Sequence, residues 1–184
     1  MNISPEIAGQ IRLLVLDVDG VMTDGGVYLG ATGGGEAVEL KRFEITDGLG
    51  VYLLRQAGVE CAVVTGRESA AVRARAGELG ISECHQDAGA RKLPLVEGVM
   101  GRLGLEWSGV ACLADDLADL PVLARVGLPA AVANAVPEVR ARALWLGQKR
   151  GGEGAVREFA EALLKARGCW VTTVDAYLRS REQA

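Results

Sequence analysis

Short apolar runs along the chain alternate with longer stretches in which apolar residues recur every three or four positions. The runs are typical of strands buried in a parallel sheet, and the longer spacing predicts amphipathic helices. The predicted strands are residues 13–16, 59–65, 109–113 and 129–132, with another near 83–85. The predicted helices are residues 48–57, 69–79, 92–103, 117–126 and 155–166. This alternation predicts an α/β fold, a three-layer, Rossmann-like, doubly wound and mainly parallel sheet.

One stretch departs from the alternation. Residues 27–29 and 37–43 have strand character and flank a glycine-rich segment, residues 30–35. The pattern predicts a β-hairpin with a flexible tip. We call residues 26–43 the flap, because the hairpin follows an acidic strand end directly and is placed to overhang it. The chain contains no stretch that predicts a large cap domain.

Length and composition predict one domain. The chain has 184 residues and is 49% hydrophobic, enough to bury a sizeable core at this size. We therefore expect a single domain over residues 1–184, with a C-terminal tail over about residues 150–184.

Charge and residue content exclude several classes of function. A net charge of -4 disfavours nucleic acid and anionic membranes as partners. The N-terminus lacks a signal-peptide pattern and no segment is apolar enough to span a bilayer, so a cytoplasmic location is expected. The four cysteines form no Cys-x-x-Cys pair and His85 is the single histidine, which disfavours zinc and Ser-His-Asp chemistry. Acidic residues must carry any catalysis.

Polar residues follow the predicted strands at four places. These are Asp17 and Asp19, then Thr65, Gly66 and Arg67, then Lys92, and finally Asp115, Asp116 and Asp119. Ligands of parallel sheets bind beyond the carboxyl ends of the strands, so the four groups are expected to form one site. Because Asp17 and Asp19 repel each other, they predict a divalent metal, a proton-transfer pair, or both.

Phosphoryl transfer requires this set of groups, because charge on the phosphoryl oxygens must be held while an oxygen nucleophile attacks in line. We predict Asp17 as the nucleophile that forms an aspartyl-phosphate, and Asp19 as the acid and base. Mg²⁺ is predicted between Asp17, the backbone carbonyl of Asp19 and Asp115. Lys92 and Thr65 are predicted to hold the remaining phosphate oxygens. Asp116 and Asp119 are predicted to support the loop.

In this order of motifs the chain resembles the haloacid dehalogenase superfamily. Within it, the chain is similar to the capless group of 3-deoxy-D-manno-octulosonate 8-phosphate (KDO-8-phosphate) phosphatases. The residues that carry this resemblance are 17–25, 43–48, Thr65, Gly66, Arg67, Arg75, Asp115, Asp116 and the string 151–158.

The resemblance implies a Mg²⁺-dependent phosphatase of a keto-deoxy sugar acid phosphate. It also implies a homotetramer built on the hairpins, with active sites partly closed by a neighbouring subunit's tail. Gly66, Arg67, Arg75 and Asp47 are the substrate-binding residues it implies. Arg67 can pair with a substrate carboxylate in a bidentate fashion, which favours the eight-carbon substrate.

Two alternatives stay open at this point. A related group acts on nine-carbon keto-deoxy sugar phosphates and tends to carry an acid where Arg67 stands. The second alternative is a non-catalytic relative that serves as an oligomerisation module. Intact Asp17, Asp19 and Asp115 argue against that module, because a purely structural protein has no need to keep mutually repelling acids together.

Overall fold

The computed structural model describes residues 2–182. Its strands are β1 (Leu13–Leu16), β2 (Tyr28–Ala31), β3 (Ala37–Leu40), β4 (Glu60–Thr65), β5 (Glu83–Gln86), β6 (Val110–Ala114), β7 (Leu128–Ala131) and β8 (Trp145–Leu146). Six of these form a sheet in the order β5-β4-β1-β6-β7-β8, in which every neighbouring pair is parallel. The predicted α/β sheet is confirmed, and β1 lies inside it between β4 and β6.

The helices pack on the sheet as two groups. They are α1 (Pro5–Gln10), α2 (Ile45–Gln56), α3 (Ala70–Glu78), α4 (Lys92–Leu103), α5 (Leu120–Leu123), α6 (Pro137–Arg142), α7 (Ala155–Ala166) and α8 (Trp170–Glu182). Helix α7 contacts α1, α2 and α8, and α4 contacts α5, which contacts α6. Together with the sheet they form the three layers that the sequence predicted.

The core explains why the central strands are so uniformly apolar. All four residues of β1 are buried, as are all five of β6. A strand covered by helices on both faces has no solvent side, so an alternating pattern would leave polar groups without partners. Each buried leucine contributes roughly 1.5–3 kcal/mol relative to an exposed one.

The flap forms the antiparallel hairpin that the sequence predicted. β2 pairs with β3 in a register that places Tyr28 opposite Leu40. Gly35, at the turn, has a φ of +82°, a conformation that glycine adopts without strain. A bridge joins Phe43, the last residue of the flap, to Thr23, which lies just before the flap. The hairpin is therefore held at its base while both of its strands are largely exposed.

One predicted helix is wrong, and four elements were missed. Residues 117–126 do not form one helix: they fold into a 3₁₀ turn, Leu117–Asp119, and the single turn α5. Pro121 at the start of α5 cannot donate a backbone hydrogen bond to a preceding turn. The elements α1, α6, β8 and α8 were not predicted. For α1 a signal was present, since Ser4 caps the helix and Pro5 occupies its first turn.

The predicted C-terminal tail, about residues 150–184, contains two helices. In α7 one face is buried in the core, with Phe159 and Leu163 fully covered. Most of α8 is exposed, and Thr173 is its buried residue. Residues 183 and 184 lie outside the described part of the chain. Among residues 2–182 no helix is both long enough and apolar enough to cross a membrane.

Candidate active site

The strand order brings three of the predicted groups to one edge of the sheet. Leu16 pairs with Val63 of β4 on one side and with Leu113 of β6 on the other. Asp17 therefore follows β1 between the ends of the two strands that lead to Thr65 and Asp115. The register places these groups at the same edge of the sheet, because parallel strands end on the same side.

Three carboxylates form the centre of the site. Asp17, Asp115 and Asp119 each offer an oxygen, and these oxygens lie within 4.8 Å of one another. Oδ1 of Asp115 and Oδ2 of Asp119 are buried and accept no hydrogen bond from the described residues. Buried oxygens with no donor are costly, so this cluster fits a cation that would supply the missing charge.

Electrostatics point to the same conclusion. The pKa of Asp115 is raised by burial and by the charges of Asp17 and Asp119. The pKa of Asp119 is also raised, by burial first and then by Asp17, although Lys92 opposes that shift. A divalent cation would relieve the repulsion that produces both shifts.

Lys92 lies inside this cluster. Its Nζ is 2.7 Å from Oδ1 of Asp17 and 2.7 Å from Oδ1 of Asp119, and its side chain is only 5% exposed. Burial disfavours the ammonium, but Asp17 and Asp119 outweigh that effect and raise the pKa of Lys92. Lys92, a predicted site residue, therefore lies among the acids of the cluster, and its pairing with Asp119 was not predicted. Asp119, for which a supporting role was predicted, is thus a member of the carboxylate cluster itself.

The loop after Asp19 approaches Asp115 closely. Gly20 has a φ of +85°, and a Cβ built there would overlap the carboxylate of Asp115. The carbonyl of Gly20 accepts a hydrogen bond of 2.8 Å from Nδ2 of Asn134, whose Oδ1 accepts one of 2.8 Å from the Gly151 N–H. Sequence reasoning missed Asn134. Its place after β7, another strand of the same sheet, is the signal that could have found it.

The same contacts explain part of the glycine string that begins at Gly151. A Cβ on Gly151 would overlap the carbonyl of Gly20, so a side chain has no room there. Next to it, the Gly152 carbonyl accepts a hydrogen bond of 2.7 Å from Nη1 of Arg42. These glycines pack against the loop that carries Asp17 and Asp19 and against the base of the flap.

The residues predicted after β4 differ in their surroundings. Thr65 is buried at the strand end, where it is 2% exposed. A Cβ on Gly66 would lie 3.0 Å from the Cβ of Ala90. Nη2 of Arg67 lies 2.6 Å from Oε2 of Glu39, a flap residue. Arg67 is therefore already bound by a carboxylate of this chain.

The flap contributes a second cation that sequence reasoning missed. Nζ of Lys41 forms an ion pair with Oδ1 of Asp19. The alternation of charge at Glu39 and Lys41, at the end of a strand directed toward the acidic loop, was the available signal. Asp116, by contrast, caps the turn that follows it, since its Oδ1 accepts a hydrogen bond from the Leu117 N–H.

Two residues predicted to bind substrate make their contacts among the helices. Nη1 of Arg75 lies 2.7 Å from Oε2 of Glu78, and its Nη2 donates to the Glu44 carbonyl at 3.3 Å. Oδ1 of Asp47 accepts a hydrogen bond of 2.8 Å from the Arg157 N–H, and burial raises the pKa of Asp47 to about 6. None of these contacts reaches the carboxylate cluster, so the binding roles of Arg75 and Asp47 stay predictions.

The chain was compared with protein-family models and with known proteins. No family model matches the chain. The chain is 41% identical over 161 residues to the 3-deoxy-D-manno-octulosonate 8-phosphate phosphatase of Escherichia coli strain K12, an alignment that covers 88% of this chain and 83% of that protein. It is 40% identical over 169 residues to the phosphatase of the same name from Salmonella typhimurium, covering 90% and 87%.

Solved structures agree with the sequence comparisons. The phosphatase of this name from Moraxella catarrhalis, solved with magnesium, phosphate and a KDO molecule, is similar at a TM-score of 0.85 and 38% identity, covering 94% of this chain and 97% of that one. The Yersinia pestis phosphatase is similar at a TM-score of 0.83 and 40% identity, covering 90% and 87%. Both likenesses extend over nearly the whole chain.

Proposed function

Because the chain belongs to the 3-deoxy-D-manno-octulosonate 8-phosphate phosphatase family of the haloacid dehalogenase superfamily, and so is a phosphoric monoester hydrolase, we propose that it hydrolyses KDO-8-phosphate with Mg²⁺. The observation that carries the proposal is the position of Asp17. This carboxylate contacts a buried lysine and lies beside Asp115 and the buried Asp119, at the end of a central strand.

Asp17 is the nucleophile in this proposal. Lys92 binds Oδ1 of Asp17 at 2.7 Å and so fixes the orientation of the carboxylate. A carboxylate oxygen of Asp17 forms a bond to phosphorus while the bond from phosphorus to the sugar oxygen breaks, which yields an aspartyl-phosphate. Thr65, buried at the end of the neighbouring strand, is assigned to the phosphate oxygens.

Asp19 moves the protons. It gives a proton to the departing sugar oxygen and then takes one from the water that attacks the aspartyl-phosphate. That second attack releases inorganic phosphate and restores Asp17. The same side chain serves both steps because it is ionised after the first and protonated after the second.

Asp17 and Asp115 are assigned as carboxylate ligands of Mg²⁺, together with the backbone carbonyl of Asp19. When bound, the ion neutralises charge on the phosphate oxygens and on the acids that hold it. The donor set fits, since the oxygens of the cluster lie within 4.8 Å of one another and Oδ1 of Asp115 has no other partner among residues 2–182. Magnesium in the Moraxella catarrhalis structure supports this choice.

Arg67 is assigned to the carboxylate of the sugar acid. Its side chain is 45% exposed, and its guanidinium already binds a carboxylate, that of Glu39. A substrate carboxylate would take the place of Glu39 in a contact whose geometry suits both.

We also propose that the protein is a homotetramer in which neighbouring subunits complete the active sites. The support is the flap, where Val27, Tyr28, Leu29 and Leu40 are apolar and exposed. Leu29→Asp is expected to reduce the mass measured by light scattering, whereas Leu144→Asp, at another exposed leucine that lies outside the flap, leaves it unchanged. A monomeric wild-type protein would overturn the proposal.

The decisive test of function is phosphate release from a panel of substrates. We expect rapid Mg²⁺-dependent release from KDO-8-phosphate, slower release from nine-carbon keto-deoxy sugar phosphates and little from hexose phosphates. Asp17→Asn is expected to abolish release, and Glu106→Gln, at an exposed acid outside the flap and the tail, serves as the control. Equal rates across the panel would overturn the substrate assignment, and an active Asp17→Asn variant would overturn the mechanism.

A further inference from the structure

A buried lysine of the flap contacts the acid of the active site. Lys41 follows β3 directly, and its side chain is only 1% exposed. Its Nζ forms an ion pair with Oδ1 of Asp19 and lies 3.5 Å from Oε1 of Glu39. Two carboxylates therefore hold one ammonium between the flap and the loop after β1.

The backbone on either side of Lys41 is anchored. On one side it continues into the hydrogen-bonded strand β3. On the other, the Arg42 guanidinium donates to the Gly152 carbonyl at 2.7 Å, and Phe43 bridges to Thr23. The ammonium is therefore presented from a fixed position, which is what precise placement of another side chain requires.

A carboxylate that must first donate and then accept a proton depends on its orientation. Asp19 is 26% exposed at its side chain, so its neighbours leave it room to rotate. The Lys41 ammonium donates to Oδ1 both when Asp19 is ionised and when it is protonated, which restricts that rotation and leaves Oδ2 to carry the proton. Misplacement of a reacting group by about 1 Å can cost roughly 100-fold in rate.

We infer that Lys41 is a positioning residue for the reaction: it holds Asp19 in the orientation in which Oδ2 reaches the leaving oxygen of the substrate. This inference rests on the proposed function of Asp19 as acid and base. It gives the flap a direct part in the chemistry, because Lys41 belongs to the flap and its ammonium contacts Asp19.

The competing role for Lys41 is direct binding of the substrate. Its surroundings favour positioning, since the side chain is buried and two carboxylates already surround the ammonium. A cationic side chain that binds an anionic substrate directly is expected to be exposed to solvent when the substrate is absent, as the side chain of Arg67 is.

The experiment compares Lys41→Met with Lys41→Arg and wild type on KDO-8-phosphate. Lys41→Met is expected to lower kcat by about 30-fold or more with KM within about 3-fold, because general acid and base catalysis contributes typically 10²–10⁴. Lys41→Arg, which keeps the charge, is expected to recover much of the rate. Lys165→Met, an exposed lysine of α7, is the control and should behave as wild type.

A second measurement isolates the proton transfer. The kcat/KM values of wild type and variants are measured on substituted phenyl phosphates, which carry no sugar carboxylate. Loss of acid placement makes rates depend more steeply on the basicity of the leaving phenol, so the Lys41→Met slope should approach that of Asp19→Asn. Thermal unfolding of each variant shows whether the fold is kept.

Three results would overturn the inference. The first is an increase in KM with unchanged kcat, which would assign Lys41 to substrate binding. The second is an equal loss on every phenyl phosphate, and the third is wild-type kinetics in Lys41→Met. The proposed function fails separately, when the wild-type protein releases no phosphate from the sugar substrates.

Discussion

Nζ of Lys92 lies 2.7 Å from Oδ1 of Asp17, so the residue that begins α4 is bound to the residue that follows β1. The pair is buried, and Asp119 shares the same ammonium. A buried ion pair of this kind is costly to break, because removal of one partner leaves the other charge without compensation. Several measurable consequences depend on this cluster and on the groups around it.

Replacement of Lys92 by methionine should damage both stability and activity. The change leaves the three acids without their cation, so we expect the free energy of unfolding to fall by about 3–5 kcal/mol in the absence of metal. Mg²⁺ should recover part of that loss, whereas phosphate release should stay at least about 100-fold below wild type. Urea unfolding with and without Mg²⁺ measures the first effect. An equally stable and active Lys92→Met variant would contradict this account, and Lys165→Met is the control.

Metal binding should depend on Asp115. Because its buried Oδ1 has no other partner among the described residues, Mg²⁺ is expected to raise the melting temperature of the wild-type protein. In Asp115→Asn that rise should be largely lost, together with phosphate release. Chelation with EDTA should abolish activity, and added Mg²⁺ should restore it. An undiminished thermal shift in Asp115→Asn would show that the cation binds elsewhere.

Gly20 should tolerate no side chain. In Gly20→Ala the new Cβ would overlap the Asp115 carboxylate, and the residue would keep a φ of +85° that alanine adopts only with strain. We expect a loss of roughly 1–3 kcal/mol in stability and a weaker thermal response to Mg²⁺. Gly77→Ala, on α3 with nothing within 4 Å, is the matched control and should be neutral or slightly stabilising. Equal behaviour of the two variants would refute the close approach.

Asp47 predicts a pH dependence of stability. Burial raises its pKa from 3.8 to about 6, so the folded protein holds a proton that the unfolded chain releases. Its contribution to stability is therefore full below about pH 4 and is lost as pH rises to about 6, by up to roughly 3 kcal/mol. Relative to wild type, Asp47→Asn should become progressively more stable over that interval and show a constant difference above it. Urea unfolding at several pH values tests this, and a difference independent of pH would contradict it.

Arg67 predicts selectivity for an acidic sugar. Arg67→Ala should raise KM for KDO-8-phosphate by about 10-fold or more, since charge-assisted pairs contribute roughly 1.5–3 kcal/mol. The KM for a neutral hexose phosphate should change little. Arg73→Ala, an exposed arginine of α3, is the control. A parallel increase for both substrates would assign Arg67 to the phosphate or to the flap instead of to the sugar carboxylate.

Much of the fold was accessible from the sequence because the central strands are buried on both faces. Continuous apolar runs such as β1 and β6 can hardly occur elsewhere in a chain of this size. The elements that were missed lie at the periphery of the fold. For example, β8 is an edge strand of two residues, and most of α8 is exposed to solvent. Where burial is partial, hydrophobic patterning is weak and helix length is set by local breakers such as Pro121.

The sequence by itself determined which reactive groups lie at the strand ends. Parallel strands all end at the same edge of the sheet, whatever their order in it. Asp17, Thr65, Lys92 and Asp115 could therefore be grouped from their positions along the chain. Tertiary structure alone decided which of these groups touch. Lys92 binds Asp17 together with Asp119, and Lys41 reaches Asp19 from the flap. Such pairings depend on how helices and a hairpin lie over the sheet to within about 1 Å, and periodicity along a chain carries no information at that scale.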